Sequence, residues 1–321
     1  MSWDHFREQY RQLKLPTFRS DDARESAEVR LDIAEAIAHP NTLGDMAKSE
    51  ALTRLQAKLL AGEGSKKSSR SPHTVRSYML TLIAAMNWAH KMKWLPERVA
   101  FDLLAVADPE KGRPITTEEF ERMLAAVPKV CSTATSEWKF YLKGLWESGL
   151  RLGESLRLSW DVEGTIQLVF PARGLPYLII PGKEQKNRKA QEIPIAPAFV
   201  ELLLSVPEEN RTGWVFDVPK RNGIGRMTEG QVGRTVSEIG KKANVAVNES
   251  GKPASAHDLR RSFGQRMADA GLPIRLLQKM MRHSSFTTTE QFYLRDRVQD
   301  QAQQLAMYLG TSEEKLESEL S

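Results

Sequence analysis

Apolar residues recur every three or four positions along most of the chain, the spacing that puts them on one face of a helix. From Met1 to about Val106 this pattern predicts helices throughout, interrupted by the turn-rich stretch "AGEGSKKSSRSP". That stretch ends in a helix start. Ser71 is placed to cap, and Pro72 sits where its missing N–H costs nothing. Val75, Met79, Leu82, Ile83 and Met86 then mark one buried face. Between Ala107 and Arg113, "ADPEKGR" combines Pro, Gly and alternating charge and predicts a linker. "PITTEEFERML" restarts a helix, with Thr116 or Thr117 as cap, so a second domain begins near Pro114.

The period changes in the middle of that domain. "EGTIQLVF", "PYLII" and "AQEIPIA" are β-branched and aromatic runs separated by Pro, Gly and charged turns, which predicts a small antiparallel sheet. Helices return from Thr228. Leu259, Phe263, Met267 and Ala270 form the stripe of one that ends at Gly271, with Pro273 starting the next. The expected class is mainly α with a small antiparallel β-sheet (α+β). The expected divisions are residues 1–106, a linker over 107–113, a second domain over 114–310 and an acidic tail over 311–321.

Composition narrows the choices. The net charge is +5, and the last fourteen residues carry Glu313, Glu314, Glu317 and Glu319 against Lys315 alone, so the body of the chain is more basic than the total. Such a body permits a polyanionic partner, although a solvated lysine-rich surface has the same charge. The single cysteine, Cys131, excludes an internal disulfide framework and a cysteine-built zinc site, and fits a reducing cytoplasm. No apolar run approaches the roughly 20 residues of a membrane span. "MSWDHFREQY" lacks the apolar centre of a secretory signal, so a soluble, unexported chain is expected.

Several polar segments then call for chemistry. Lys66, Lys67, Arg70, His73 and Arg76 gather where the helix after Ser71 begins, and helix amides beside cations can hold phosphate; a solvated basic loop is the alternative. "AHDLRRSF" places His257 and Arg260 three apart at a helix start, where both can point the same way. "MRHSSFTTTEQFYL" presents His283 and, on a helix capped by Thr287 or Thr288, Tyr293. "SGLRLGESLRLSW" puts Arg151 between Gly149 and Gly153 and follows it with Glu154. "GKEQKNRKAQEIPI" is a charged hairpin tip with Lys183, Lys186, Arg188 and Lys189.

Taken as one set, these groups suit transfer of a phosphodiester. Two arginines neutralise the non-bridging oxygens as charge builds, doing without a metal what a cation does elsewhere. A tyrosine forms a stable but reversible phosphoester. A lysine can protonate the leaving 5′ oxygen, and histidines can bind phosphate oxygens and help move the tyrosine's proton.

On these residues the chain resembles the tyrosine recombinases of the phage integrase type, over nearly its whole length. "GLRLGESLRLSW" is similar to the family's first arginine motif, "HDLRRSF" to its His-x-x-Arg box and "MRHSSFTTTEQFY" to its closing histidine-to-tyrosine segment. "SPHTVRSYMLTLIAAMNWAHKMKWL" is like the helix that ends the family's N-terminal core-binding domain. The resemblance implies that Arg151 and Arg260 clamp the scissile phosphate, that Glu154 holds Arg151 and that His257 assists proton transfer. It also implies that His283 binds a phosphate oxygen and that Tyr293 attacks to give a 3′-phosphotyrosyl bond. Lys186 matches the family's lysine by its spacing from the following "IP", with Lys183 as the alternative. Lys66, Lys67, Arg70, His73, Arg76, Lys183, Arg188 and Lys189 are then expected DNA contacts.

The implied fold is a four- or five-helix core-binding domain followed by an integrase-type catalytic domain, closing like a clamp around double-stranded DNA. The implied assembly is a homo-tetramer on two recombination sites, with room for accessory DNA-bending proteins, in the cytoplasm and associated with the nucleoid. No cofactor, metal or membrane enters. The C-terminal segment "QDQAQQLAMYLG", Gln299 to Gly310, either packs into a neighbour or covers its own core. The implied activity is site-specific recombination or integration of a mobile element; a topoisomerase-type strand-cleaving enzyme and a non-catalytic DNA-binding protein are the alternatives. Two details depart from the family pattern. The interval from His283 to Tyr293 is one residue longer than is common, and Arg282 stands where glycine is frequent.

Overall fold

Side-chain caps set where most of the helices begin. The computed structural model describes residues 1–64, 69–106, 112–162, 165–182, 190–220 and 225–282. The chain divides into two compact units, Met1–Pro109 and Glu110–Ser321. In the first, α1 (Trp3–Gln9), α2 (Asp21–Ala38), α3 (Leu43–Ala47) and α5 (Pro72–Lys91) start after Ser2, Ser20, Thr42 and Ser71, each of which accepts a hydrogen bond from a backbone N–H three residues on. The remaining helix, α4 (Ser49–Ala61), ends on Gly62 in the left-handed conformation.

The first unit's core is built from the faces that the spacing predicts. Val75, Met79, Leu82 and Met86 of α5 are buried and Ile83 half-buried, packed with Leu31 of α2, Leu55 and Leu59 of α4, and Trp3 and Phe6 of α1. Tilted and edge-on ring contacts run on from Trp3 and Phe6 through Tyr10 to Trp88 and Trp94. Arg7 is also buried here, paired with Asp32 and Glu35 of α2.

In the second unit, α6 (Thr117–Val130) begins with a capping box between Thr116 and Glu119. It is followed by α7 (Thr135–Ser148) and the single turn α8 (Leu152–Ser155). Phe120 of α6 stacks flat on Trp146 of α7, with ring centres 4.3 Å apart. The sheet comes next: β1 (Leu158–Ser159), β2 (Ile166–Val169), β3 (Tyr177–Ile180) and β4 (Gln191–Pro194), in that spatial order. The three runs expected as strands form β2, β3 and β4 and pair antiparallel, with Leu168 opposite Leu178 and Leu178 opposite Ile193. Alternate residues Ile166, Leu168, Leu178, Ile180 and Ile193 are buried. The sheet has one strand more than expected: β1 joins its edge in parallel, with Leu158 opposite Ile166. Two residues are too few for alternation to show in a sequence.

The remaining helices are α9 (Pro197–Leu204), α10 (Glu229–Lys242), α11 (Ala256–Asp269) and α12 (Ile274–Met281). Leu259 and Phe263 of α11 are fully buried and Met267 half-buried, but Ala270 is exposed beyond the helix end. Phe263 packs with Leu277, Met280 and Met281 of α12, which holds the two helices together beside the C-terminal end of α7. Among the described residues no helix is long and apolar enough to cross a membrane.

Candidate active site

Three helix ends bring the site together. The first is the corner between α7 and α8. Gly149 closes α7 in the left-handed conformation at φ 61°, and Arg151 then stands at the start of α8 with extended backbone. Glu154 reaches back across that turn. Its Oε2 accepts from the Arg151 backbone N–H at 2.7 Å, and its Oε1 accepts from Arg151 Nη1 at 2.9 Å. One carboxylate thus satisfies a helix-start amide and orients the guanidinium.

The second is the start of α11. Ser255 and Asp258 form a capping box, which fixes the first turn and places His257 on its exposed side. Partial loss of hydration, and then the charge of Arg261, Arg260 and Lys252, push the His257 pKa below the ordinary histidine value, while Asp258 acts in the other direction. His257 is therefore neutral at pH 7 and able to accept a proton. One turn on, Arg260 is 3% exposed and donates from Nη1 to the carbonyl of Gly149 and from Nη2 to the carbonyl of Met281.

The third is the end of α12, where Arg282 takes the left-handed conformation at φ 48° and ψ 45°. A glycine would adopt it without strain; here an arginine does. The Arg282 carbonyl accepts from Arg151 Nη2 at 3.0 Å. Its own guanidinium folds onto Glu154, with Nε 3.2 Å from Oε1 and Nη2 bonded to Oε2. Burial alone would raise the Glu154 pKa, but the charges of Arg282 and Arg151 outweigh it and hold the carboxyl below its ordinary value. Burial likewise lowers the Arg282 pKa, opposed by Glu154, and an arginine so placed stays protonated.

Arg151 and Arg260 therefore come from different elements and meet on consecutive carbonyls, those of Arg282 and Met281, immediately before His283 in the chain. His283, Tyr293, Lys183, Lys186, Arg188 and Lys189 lie outside the described residues, as do Lys66 and Lys67. The β3–β4 pairing places Ile180 opposite Gln191, so the segment with the four basic residues is closed at its base by that pair. In the first unit, Arg70 donates to the carbonyl of Glu63 and lies over the ring of Tyr78, and Arg76 donates to the carbonyl of Leu104 at 2.8 Å. His73 is exposed in the first turn of α5.

Two parts of the site carry no motif. One is Arg282, whose only signal in the sequence is a charged residue at a helix end that suits glycine. The other is a set of bonds between α11 and the chain that leads into α6. Arg261 donates to the carbonyl of Gly112 at 2.6 Å, and the N–H of Ile115 donates to Ser262 Oγ at 2.8 Å. A Cβ on Gly112 would stand 2.2 Å from the Asp258 carboxylate.

Gly149→Ala tests the corner that holds Arg260. A Cβ there would meet the Phe263 ring at 2.3 Å, and the left-handed backbone adds its own penalty. Strain and overpacking together are expected to lower stability by about 2–4 kcal/mol, read as a shifted urea midpoint in tryptophan fluorescence. An unchanged midpoint would mean that Phe263 swings aside at no cost.

The fold and site define a class, a mainly helical α+β protein whose described centre gathers Arg151 and Arg260 on adjacent backbone carbonyls. The chain belongs to the phage integrase family, whose model matches residues 113–300. It is 30% identical over 195 residues to the tyrosine recombinase XerD of Caulobacter vibrioides, a match covering 58% of this chain and 59% of that protein. The chain thus spans about three fifths of the length of this curated relative. Among solved structures, the Tn1549 transposon integrase in complex with transposon right end DNA superimposes with a TM-score of 0.66 at 20% identity, covering 97% of this chain and 100% of that one. A lambda integrase tetramer bound to a Holliday junction gives 0.65 at 14% identity, covering 92% and 79%. At these identities the two structures establish a shared fold.

Proposed function

We propose that this protein is a site-specific DNA recombinase that cleaves and rejoins strands through a 3′-phosphotyrosyl bond to Tyr293, using neither metal nor ATP. The observation that carries this is the meeting of Arg151 and Arg260 on the carbonyls of Arg282 and Met281. Arg151 is 48% exposed and offers a guanidinium edge to a phosphate, and Arg260, 3% exposed, adds its charge from the neighbouring carbonyl. A cradle of this kind stabilises the charge that develops on the non-bridging oxygens. Neutral His257 takes part in moving the tyrosine's proton, His283 bonds a phosphate oxygen and Lys186 protonates the leaving 5′ oxygen, with Lys183 as the alternative.

Double-stranded DNA is the substrate, and the basic residues at the start of α5 (Lys66, Lys67, Arg70, His73 and Arg76) and in the β3–β4 segment (Lys183, Arg188 and Lys189) are its further contacts. Residues 1–106 serve as the core-binding domain, 114–310 as the catalytic domain, and the two close around the duplex. The working form is a homo-tetramer on two sites, acting in the cytoplasm at the nucleoid on a mobile element, in which Gln299–Gly310 either exchanges between protomers or covers its own core. The tyrosine recombinase named among the relatives, and the integrases solved on transposon DNA and on a Holliday junction, support this reading.

Metal provides the test. Because two arginines supply the charge, a nicked duplex drawn from the DNA flanking the gene should trap a covalent adduct in EDTA. Loss of cleavage in EDTA, restored by Mg²⁺, would favour a metal-dependent nuclease instead.

A further inference from the structure

Glu154 is shared between two guanidinium groups, and the charges do not cancel. Arg151 reaches it through a backbone N–H and Nη1, and Arg282 through Nε and Nη2. The two arginines are not equivalent. Arg151 is half exposed, whereas the Arg282 side chain is 4% exposed and faces the carboxylate from inside the protein. With Arg151 alone, the carboxylate would form a neutral pair and compete with any anion for the same guanidinium. With Arg282 present, the three groups carry one net positive charge.

We propose that Arg282 is a positioning residue that balances Glu154, so that Arg151 is oriented by the carboxylate yet keeps its charge for a phosphate. The left-handed backbone at Arg282 is part of the device. It turns the residue's carbonyl onto Arg151 Nη2 while its side chain returns to Glu154, so one residue holds the same neighbour from two directions. The inference rests on the proposed phosphate-binding role of Arg151.

The test uses the full chain without DNA, with inorganic phosphate as probe, so that its outcome is separate from the cleavage assay. In arginine-labelled protein, the Arg151 guanidinium signal, assigned with Arg151→Lys, reports phosphate affinity by NMR titration. Arg282→Gly suits the left-handed backbone and removes the side chain together with its charge. It is expected to weaken phosphate binding at least tenfold, since one unit charge about 6 Å away is worth that much even at an effective dielectric of about 40. Arg282→Lys, which keeps the charge, should stay within about twofold of wild type.

Glu154→Gln leaves the buried Arg282 unpaired and should lower the thermal unfolding temperature. The double variant Glu154→Gln with Arg282→Gly should recover stability relative to Glu154→Gln and affinity relative to Arg282→Gly. Should Arg282→Gly not fold, Arg282→Gln carries the same comparison. Unchanged affinity without the Arg282 charge, equal losses in the glycine and lysine variants, additive losses in the double variant, or a wild type that binds no phosphate at Arg151 would each overturn the proposal.

Discussion

Tyr293→Phe is expected to bind DNA as the wild type does and to form no covalent adduct. The substitution removes one oxygen atom, and the cradle proposed for the phosphate is made by other residues, Arg151 and Arg260. Without the hydroxyl no phosphotyrosyl ester can form, so the energy of the broken bond has nowhere to be stored. A nicked suicide substrate, from which the short downstream fragment diffuses away, traps the wild-type adduct for detection on a denaturing gel, while gel shift reports binding. An adduct that persists in the variant would move the nucleophile to another tyrosine. Tyr141 is a poor replacement: it is fully buried, its hydroxyl bonds Ser155 at 2.9 Å, and burial drives its pKa well above the ordinary tyrosine value.

Lys186→Ala is the second large effect. If this lysine protonates the leaving 5′ oxygen, its loss should slow cleavage of ordinary DNA by about 10²–10⁴-fold. On a 5′-bridging phosphorothiolate the leaving group is a thiolate, which departs without a proton, and the variant should be largely rescued. A lysine that only contacts a phosphate behaves differently: its loss weakens binding on both substrates and makes that binding less salt-dependent. Rescue of Lys183→Ala in place of Lys186→Ala would put the acid three residues earlier on the same segment.

What was legible in the sequence was whatever local chemistry decides. Ser71 with Pro72, and Thr116 with Glu119, start helices because they satisfy orphan amides, and they do so in the structure. The α5 stripe and the alternating runs of β2 to β4 were legible for the same reason, since burial follows the period of the element. Arg151, Glu154, His257 and Arg260 stood out through their motifs, and the structure places Arg151 and Arg260 on adjacent carbonyls.

Other features depend on partners distant in the chain, and no local pattern reveals them. The two-residue strand β1 is defined by its pairing with β2 on one side and by a bridge from Ser159 to Trp214 on the other. The π-helical turn at Tyr10–Lys14, which continues α1, has no composition that marks it. Arg282 read as a departure from a glycine-favouring position, and its backbone is indeed left-handed; that its side chain completes an ion pair with Glu154, 128 positions earlier, could not be read from either residue alone.

The bonds that join Gly112 and Ile115 to α11 bear on how the protein could be taken apart and rebuilt. Anyone exchanging the first unit for another must choose a seam. A splice placed before Gly112 leaves intact the bonds from Arg261 to the Gly112 carbonyl and from Ile115 to Ser262. A splice placed after it, or a residue added between Gly112 and Ile115, would shift those two anchors out of register and tug on the helix that bears His257 and Arg260. The bonds of Gly112, Arg113 and Ile115 thus put the seam a few residues ahead of the first helix that a chimaera designer would be tempted to keep.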